Sequence, residues 1–264
     1  MTTVDLSMTS LGDEGMTALG PALEGLQAVT RLDLSSNSLT LGAAPTLGKT
    51  LKRLSEVREL FLGLCLSASG APAFGVAHER RRRNTTAQAP ELVEGLASLR
   101  SLASIDLSGH VMGAKGLERL TEALQPLPVT DLDLRSNRLN VDAVNSLAAL
   151  LASHTALRRL RLGRVEFTSL FVKDENVLDA HCMERLEGPL GGLQGLTSLD
   201  LSGFWFGAEG AGHVARALSG KGEMTELDLS HNDLKADGAR ALADALGRMD
   251  KMTRLDLSYN QLKA

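Results

Sequence analysis

The sequence predicts an α/β solenoid, a horseshoe with a parallel β-sheet on its concave side and helices on its convex side. Three observations predict this fold. One motif, an apolar residue, two variable residues and then Leu-Asp-Leu-Ser and often Asn, begins nine times in one register. A second segment of each repeat carries leucine at helical spacing. Leucine makes up 51 of the 264 residues, whereas Phe, Trp and Tyr together make up eight.

The strand of each repeat is predicted from the Leu-x-Leu alternation, which buries one face of a short extended segment. A strand of this length cannot bury its apolar face alone, so neighbouring repeats must stack. The nine starts are spaced by 28, 28, 45, 27, 28, 39, 28 and 28 residues. They are Met1, Val29, Val57, Leu102, Val129, Leu157, Leu196, Met224 and Met252.

The helix of each repeat is predicted from three apolar positions, of which Leu47, Leu51 and Leu54 are an example. All three positions are leucine in the first, second, third and sixth repeats. The fourth repeat is shifted by one residue, and the fifth, seventh and eighth have other residues at one or more positions, including Lys221 in the seventh. Every repeat still predicts one strand followed by one helix.

The repeats predict a single array of about nine units over residues 1–264, with insertions within 68–91 and 168–185. The third repeat is 17 residues longer than 28, and the sixth is 11 longer. Both insertions follow a strand and precede a helix, so both loops are predicted to project from the same rim. The ninth repeat ends after its strand at Ala264, which leaves open that the chain is a fragment of a longer protein.

Charge and composition exclude several functional classes. The net charge of -4 gives no bias towards nucleic acid. The longest segment without Asp, Glu, Lys or Arg, 60–78, is too polar and broken for a membrane span. No secretory signal segment opens the chain, and two widely separated cysteines suit a reducing compartment. We therefore predict a cytoplasmic protein, with a secreted effector as the alternative.

The nine Leu-x-Leu repeats resemble the leucine-rich repeat family, and their 28-residue length resembles its ribonuclease-inhibitor-like subclass. That subclass includes Ran GTPase-activating proteins and the sensor portion of NOD-like receptors. The resemblance implies an internal ladder, in which the Asn of the motif bonds to neighbouring backbone. Val165 and Phe204 at this position cannot make those bonds. The nine ladder positions are Thr9, Asn37, Cys65, His110, Asn137, Val165, Phe204, Asn232 and Asn260.

The residue between the two leucines of each strand should face the concave surface, because side chains alternate along a strand. Seven of these nine residues are aspartate. One interpretation is an acidic stripe for a basic partner. The favoured interpretation is structural, with each aspartate accepting a hydrogen bond from a nearby serine such as Ser35 or Ser230.

The two exceptions to the aspartate pattern, Phe61 and Arg161, fall in the two repeats that carry insertions. Three strand spacings separate the two loops by about 14 Å, close enough to grip one partner. Trp205 is predicted to be either an exposed binding anchor or packed beneath the second loop. The predicted partner-binding residues are Phe61, Leu64, Arg80, Arg81, Arg82, Arg83, Arg159, Arg161, Arg164 and Trp205.

Each insertion also has a plainer explanation. The insertions recur three repeats apart, so duplication of a three-repeat block would account for both without a binding role. The arginines at 80–83 can bind an acidic surface or phosphate or direct nuclear import, yet such a run in a loop is more often only solvated. These alternatives stay open at the level of sequence.

Patterns that suggest catalysis or cofactor binding have structural explanations. The segment 43–50 fits a relaxed phosphate-loop pattern, but Gly48 and Lys49 fall inside a predicted helix. Asp179, His181, Cys182 and Glu184 could ligate a metal, although a helix-entry segment is favoured because no second ligand pair exists. We predict no catalytic residues, no cofactor and no metal.

The sequence therefore predicts a non-catalytic protein–protein interaction module that binds a protein partner through its concave face and two rim loops. Two alternatives remain: a regulator of a small GTPase, resembling the GTPase-activating proteins of the family, and the recognition domain of a longer effector enzyme. The sequence identifies neither the partner nor the oligomeric state.

Overall fold

A computed structural model describes residues 2–63, 90–110, 112–164 and 176–263. The chain divides into two compact parts, Met1–Val129 and Thr130–Ala264, here called the N-terminal half and the C-terminal half. Leu64, Val165 and the four arginines at 80–83 lie outside the described residues. The predicted single array over 1–264 and its loop within 68–91 stay predictions. The predicted bounds of the second loop, 168–185, extend too far, because residues 180–185 are helical.

The N-terminal half alternates short strands and helices, and its strands pair in parallel in chain order. The central residue of each strand is buried against the helices. The elements are β1 Thr3–Asp5, α1 Gly12–Glu24, β2 Arg31–Asp33, α2 Ala44–Arg53, β3 Glu59–Phe61, α3 Pro90–Ala97, β4 Ser104–Asp106 and α4 Gly113–Leu124.

The C-terminal half repeats this alternation, again with parallel strands in chain order. The predicted α/β solenoid class is therefore confirmed within each half. The elements are β5 Asp131–Asp133, α5 Val144–Ser153, β6 Arg159–Arg161, α6 Ala180–Gly192, β7 Ser198–Asp200, α7 Gly207–Ala217, β8 Glu226–Asp228, α8 Lys235–Leu246 and β9 Arg254–Asp256.

Each strand is only three residues long because its last residue begins a turn. Where that residue is aspartate, its carboxylate accepts the backbone N–H two residues later, at 2.8–3.1 Å. The structural interpretation of the aspartates is confirmed by these bonds. The seven aspartates are Asp5, Asp33, Asp106, Asp133, Asp200, Asp228 and Asp256.

A ladder of buried side-chain amides joins successive turns. The Asn37 amide oxygen accepts from the N–H groups of Thr9 and Leu11, and its nitrogen donates to the carbonyls of Leu6 and Leu34. Asn232 and Asn260 make the same kind of bonds in the C-terminal half. The ladder implied by the family resemblance is thus present in both halves.

The sixth repeat fills its ladder position with a residue that the sequence pattern did not identify. Asn176, 2% exposed, accepts from the N–H groups of Asn137 and Leu139 at 2.9 and 2.8 Å. It donates to the carbonyls of Leu134 and Leu162. These partners match those of Asn37 one for one.

Asn176 also locates the extra residues of the sixth repeat. It lies 14 residues after Leu162, whereas Asn37 lies three residues after Leu34. The eleven additional residues therefore precede the ladder position, and the regular repeat resumes at Asn176. Leu178, fully buried like Leu39 of the second repeat, follows in the same register.

Two other ladder positions, Phe204 and His110, hold residues other than asparagine and differ in how they fill the interior. Phe204 is 1% exposed and fills the interior, while its backbone N–H donates to Asn232. His110 is buried, and its Nε2 donates to the carbonyl of Leu62 at 2.7 Å. Burial lowers the pKa of His110 to about 4, so the ring is neutral at neutral pH.

Two glycines let α2 and α3 meet at backbone distance. A Cβ placed on Gly48 would lie 2.1 Å from the carbonyl oxygen of Glu91, and one on Gly95 would lie 2.6 Å from the carbonyl oxygen of Gly48. Gly48 and Lys49 lie inside α2. The helical interpretation of the phosphate-loop-like segment is confirmed.

Lys221 occupies a position where a repeating leucine would stand, and it is 1% exposed. Its Nζ donates to the carbonyls of Gly191 and Leu193, at 3.1 and 2.8 Å, at the end of α6. The cation thus adds a hydrogen bond to each of two carbonyls at the end of the helix, where the helix dipole favours positive charge. Burial lowers the pKa of Lys221 to about 8.

Replacing Gly48 with alanine should destabilise the protein by about 1–3 kcal/mol, because the methyl group would press on backbone that cannot move aside. The matched control is Gly212→Ala in α7, where a Cβ meets only the Arg216 guanidinium at 3.6 Å. That change should be neutral or stabilising by up to about 1 kcal/mol. Urea unfolding measures both, and equal effects would contradict the tight α2–α3 contact.

Asn176→Ala should cost about 3 kcal/mol or more of unfolding free energy, because it leaves buried backbone N–H and C=O groups without partners. Asn145→Ala, at an exposed position on α5, should cost less than about 1 kcal/mol. The measurement is urea unfolding followed by circular dichroism. A loss at Asn176 no greater than at Asn145 would remove Asn176 from the ladder.

Lys221 should make stability depend on pH. Its pKa is about 8 in the folded chain against 10.5 for an ordinary lysine. Between these values the unfolded chain binds more protons, so stability rises with pH, by at most ~1.4 kcal/mol per unit. Relative to Lys221→Met, the native protein should gain stability from pH 8 to 10.5. Parallel unfolding free energies of the two proteins across this range would contradict the prediction.

Candidate functional site

The strand face of the C-terminal half carries a cleft of about 470 Å³ above β6–β9. Its floor is formed by the outward residues of β7–β9 and the serines that follow them. Arginines of the fifth and sixth repeats line one side, and an aromatic pair lines the other. Among its lining residues are Arg135, Arg161, Arg164, Asp200, Ser202, Glu226, Asp228, Ser230, His231, Arg254, Asp256 and Tyr259.

Two glycines make room for this cleft. Gly163 lies where a Cβ would come within 2.2 Å of the Asp200 carboxylate, so only glycine permits this close approach. Gly203, at φ +79°, lies beneath the Arg164 side chain. The equivalent positions of neighbouring repeats carry Arg135 and His231, whose side chains stand on either side of the depression.

The predicted arginines Arg159 and Arg161 lie on either side of Leu160 on β6, and both form ion pairs with aspartates of β5. Arg159 lies 3.1 Å from Asp131, and Arg161 lies 3.7 Å from Asp133. Asp133 is 3% exposed and also binds the Arg135 guanidinium through both carboxylate oxygens. Two aspartates thus partly neutralise this basic region, which Arg164 extends into the cleft.

The outward carboxylates of β7–β9 are different. Glu226 accepts from the Ser198 hydroxyl at 3.1 Å, and Asp228 and Asp256 accept from backbone N–H groups. Within the described part of the chain, none of these three carboxylates forms an ion pair with lysine or arginine. Burial, reinforced by the charge of Asp228, raises the pKa of Asp200 to about 6.

Aromatic side chains stand at the rim of the cleft and beside it. His231 and Tyr259 stack with ring centroids 4.2 Å apart and an interplanar angle of 12°. Tyr259 is 75% exposed. Trp205 is 62% exposed, and its backbone has the left-handed conformation, with φ 58°. Val177, in the turn of the preceding repeat, is 58% exposed.

Sequence reasoning missed His231 and Tyr259. Each directly precedes a ladder asparagine, at the position where the second and fifth repeats carry Ser36 and Ser136. Aromatic residues at a position otherwise held by small polar residues were the available signal. Their stacking required the adjacent repeats to be brought into register.

The remaining predicted residues lie elsewhere. Phe61 belongs to the N-terminal half, where it is half-buried beneath the Arg31 guanidinium, 4.1 Å from the ring centroid. Leu64, Arg80, Arg81, Arg82 and Arg83 stay predictions, because they lie outside the described residues.

The helix-entry interpretation of Asp179 is confirmed. Asp179 caps α6, and its carboxylate accepts the N–H of Cys182 at 3.0 Å. Burial raises the pKa of the Cys182 thiol to about 11, which disfavours a thiolate.

The described residues hold neither a metal-binding cluster nor a membrane-spanning helix. They contain no group of three or more His, Cys, Asp and Glu side chains arranged to hold a metal ion. No helix in the same ranges is long and apolar enough to span a bilayer.

Comparisons with known proteins agree with the repeat. A family model described as Leucine Rich repeat matches residues 1–20 and 224–243. Protein NLRC5 of Mus musculus is 27% identical over 185 residues, which cover 57% of this chain and 10% of that protein. The chain therefore spans about a tenth of this relative. A Caenorhabditis elegans tropomodulin C-terminal domain structure aligns with a TM-score of 0.45 and 14% identity, over 59% of this chain and 92% of that one.

Proposed function

Because the chain is a leucine-rich repeat protein, we propose that it is a non-catalytic module that binds a protein partner through the strand face and turn rim of its C-terminal half. The observation that carries this proposal is the cleft above β6–β9. There arginines, and carboxylates that form no ion pair with lysine or arginine among the described residues, stand beside exposed aromatic rings. Such a combination is typical of protein interfaces, in which Trp, Tyr and Arg supply most of the binding energy.

Trp205 is the proposed anchor at the rim. A tryptophan that is 62% exposed leaves a large apolar surface in water, and a partner that covers it gains that burial. Val177, 58% exposed on the preceding turn, extends the apolar surface. Arg159, Arg161 and Arg164 lie on the strand side of the rim and would supply charged contacts to the same partner.

The two rim loops, one within 68–91 and one from 168 to the start of α6, together with Phe61 and Leu64, are proposed as further contacts. The second loop enters the regular repeat at Asn176, next to Val177. Regulation of a small GTPase rests on family resemblance alone, and a GTP hydrolysis assay with and without the protein tests it.

The test is affinity capture with three purified forms of the chain: unaltered, Arg161→Asp and Trp205→Ala. Arg240→Asp on α8 is the matched control, because it reverses the same charge on a helix. We expect each test substitution to weaken binding of the captured protein by about tenfold or more, and the control to leave it unchanged.

Circular dichroism and a thermal melt establish that each variant is folded, since neither test side chain is buried. Binding of the captured partner is then measured by calorimetry. If both test variants bind it as tightly as the unaltered chain, the partner does not use this surface and the proposal is wrong.

A further inference from the structure

The outward residues of the C-terminal half form rows that cross the strands. The parallel register aligns Arg159 with Ser198, Glu226 and Arg254, and aligns Arg161 with Asp200, Asp228 and Asp256. Neighbouring members of a row are about 4.8 Å apart. Charge therefore varies along the direction perpendicular to the strands, which is the direction that a partner segment lying across them would follow.

The sign of the charge changes once along the row from Arg161 to Asp256, whereas the other row ends on the positive Arg254. Among the described residues up to Arg164, β5, β6 and the start of their turns carry four arginines, Arg135, Arg159, Arg161 and Arg164, which outnumber the outward carboxylates Asp131 and Asp133 by two. On β7–β9, four carboxylates, Asp200, Glu226, Asp228 and Asp256, outnumber the single arginine Arg254 by three when all are ionised. We call these two regions the basic side and the acidic side.

Two arginines of the basic side pair away from the acidic side, while the charge of Arg135 also acts on Asp200. Arg159 and Arg161 pair with Asp131 and Asp133 of β5, away from the acidic side. The cleft made by Gly163 and Gly203 lies between the arginines and the stacked rings of His231 and Tyr259. The carboxylates of Asp228, Asp256 and Glu226 thus keep their charge available to a partner.

From this arrangement we propose that the partner presents one segment that lies across the strands, with carboxylates over the basic side and a lysine or arginine over the acidic side beside Tyr259. The inference rests on the proposed function and deepens it, because it specifies the charge order of the partner. Arg161 and Asp228 are two strands apart in one row, so the partner's opposite charges should be separated by about 10 Å.

The aromatic pair favours a cation at the acidic side. A guanidinium or ammonium that reaches Asp228 and Asp256 lies beside the exposed face of Tyr259. Attraction of a cation to an aromatic face adds to attraction by carboxylates. A uniformly negative partner such as a nucleic acid would gain at the basic side and be repelled by the acidic side, so the divided face disfavours it.

The test uses the intact chain and three synthetic peptides of equal length. One has a block of glutamates, a glycine spacer and a block of lysines; the others carry only glutamates or only lysines in both blocks. Fluorescence anisotropy at low ionic strength should give the mixed peptide about tenfold tighter binding than either other peptide. Added salt should remove that advantage.

Charge reversals then test the order of charges. Arg161→Asp and Asp228→Lys should each weaken binding of the mixed peptide by about fivefold or more. The first removes the net positive charge of the basic side, and the second reduces the net negative charge of the acidic side. By the same counts, the double variant has no net charge on the basic side and an excess of one negative charge on the acidic side, so little contrast between the sides remains. It should therefore bind the mixed peptide more weakly than either single variant. Arg240→Asp on α8 should have no effect.

Equal binding of all three peptides, or a double variant that binds the mixed peptide as tightly as the single variants, would overturn the inference. These outcomes are distinct from failure of the proposed function. If Arg161→Asp still loses the captured partner while the peptides are bound alike, the surface is correct and the proposed charge order is wrong. If the peptides behave as expected but the captured partner binds Arg161→Asp and Trp205→Ala as tightly as the unaltered chain, that partner binds elsewhere and the proposed function is wrong.

Discussion

Hydrogen bonds from buried side-chain amides to the turns that follow the strands are the constraint on which the repeats depend. A three-residue strand leaves the backbone of the following turn inside the protein, where unpaired N–H and C=O groups are costly. Asn37 alone pairs with two N–H groups of the preceding turn and with two carbonyls. One amide side chain therefore satisfies both a donor and an acceptor deficit. It also sets the distance between successive repeats, since both sets of bonds form only when the turns lie in register.

The same constraint explains where the repeat tolerates change. The sixth repeat has eleven additional residues, yet Asn176 returns to the ladder position and makes the bonds that Asn37 makes. The insertion can therefore be accommodated without loss of register. On the helix side, the buried Lys221 likewise forms hydrogen bonds to backbone, to two carbonyls at the end of α6. Asn176 keeps the residue type of the pattern but comes eleven positions later in its repeat, whereas Lys221 replaces a repeating leucine.

The strand face is free to vary because its residues take no part in that network beyond the turn-capping aspartates. The basic region arises where arginine replaces aspartate at Arg161 and glycine follows at Gly163. That glycine is required because the Asp200 carboxylate approaches so closely. The cleft, its arginines and its carboxylates are thus local consequences of a few substitutions in an otherwise regular surface. This is why the family scaffold says little by itself about which partner is bound.

The sequence by itself determined the strand and helix of each repeat, the buried leucines and the role of the aspartates, because these depend on periodicity and on contacts between residues close in the chain. It also singled out Arg161 and Trp205 as departures from the pattern. Only the tertiary structure decided that Asn176 completes the ladder, that Arg161 pairs with Asp133, and that His231 stacks on Tyr259. Each of these contacts joins residues of different repeats, separated by 28 or more positions. A single sequence carries no measure of such distances until its strands are set side by side.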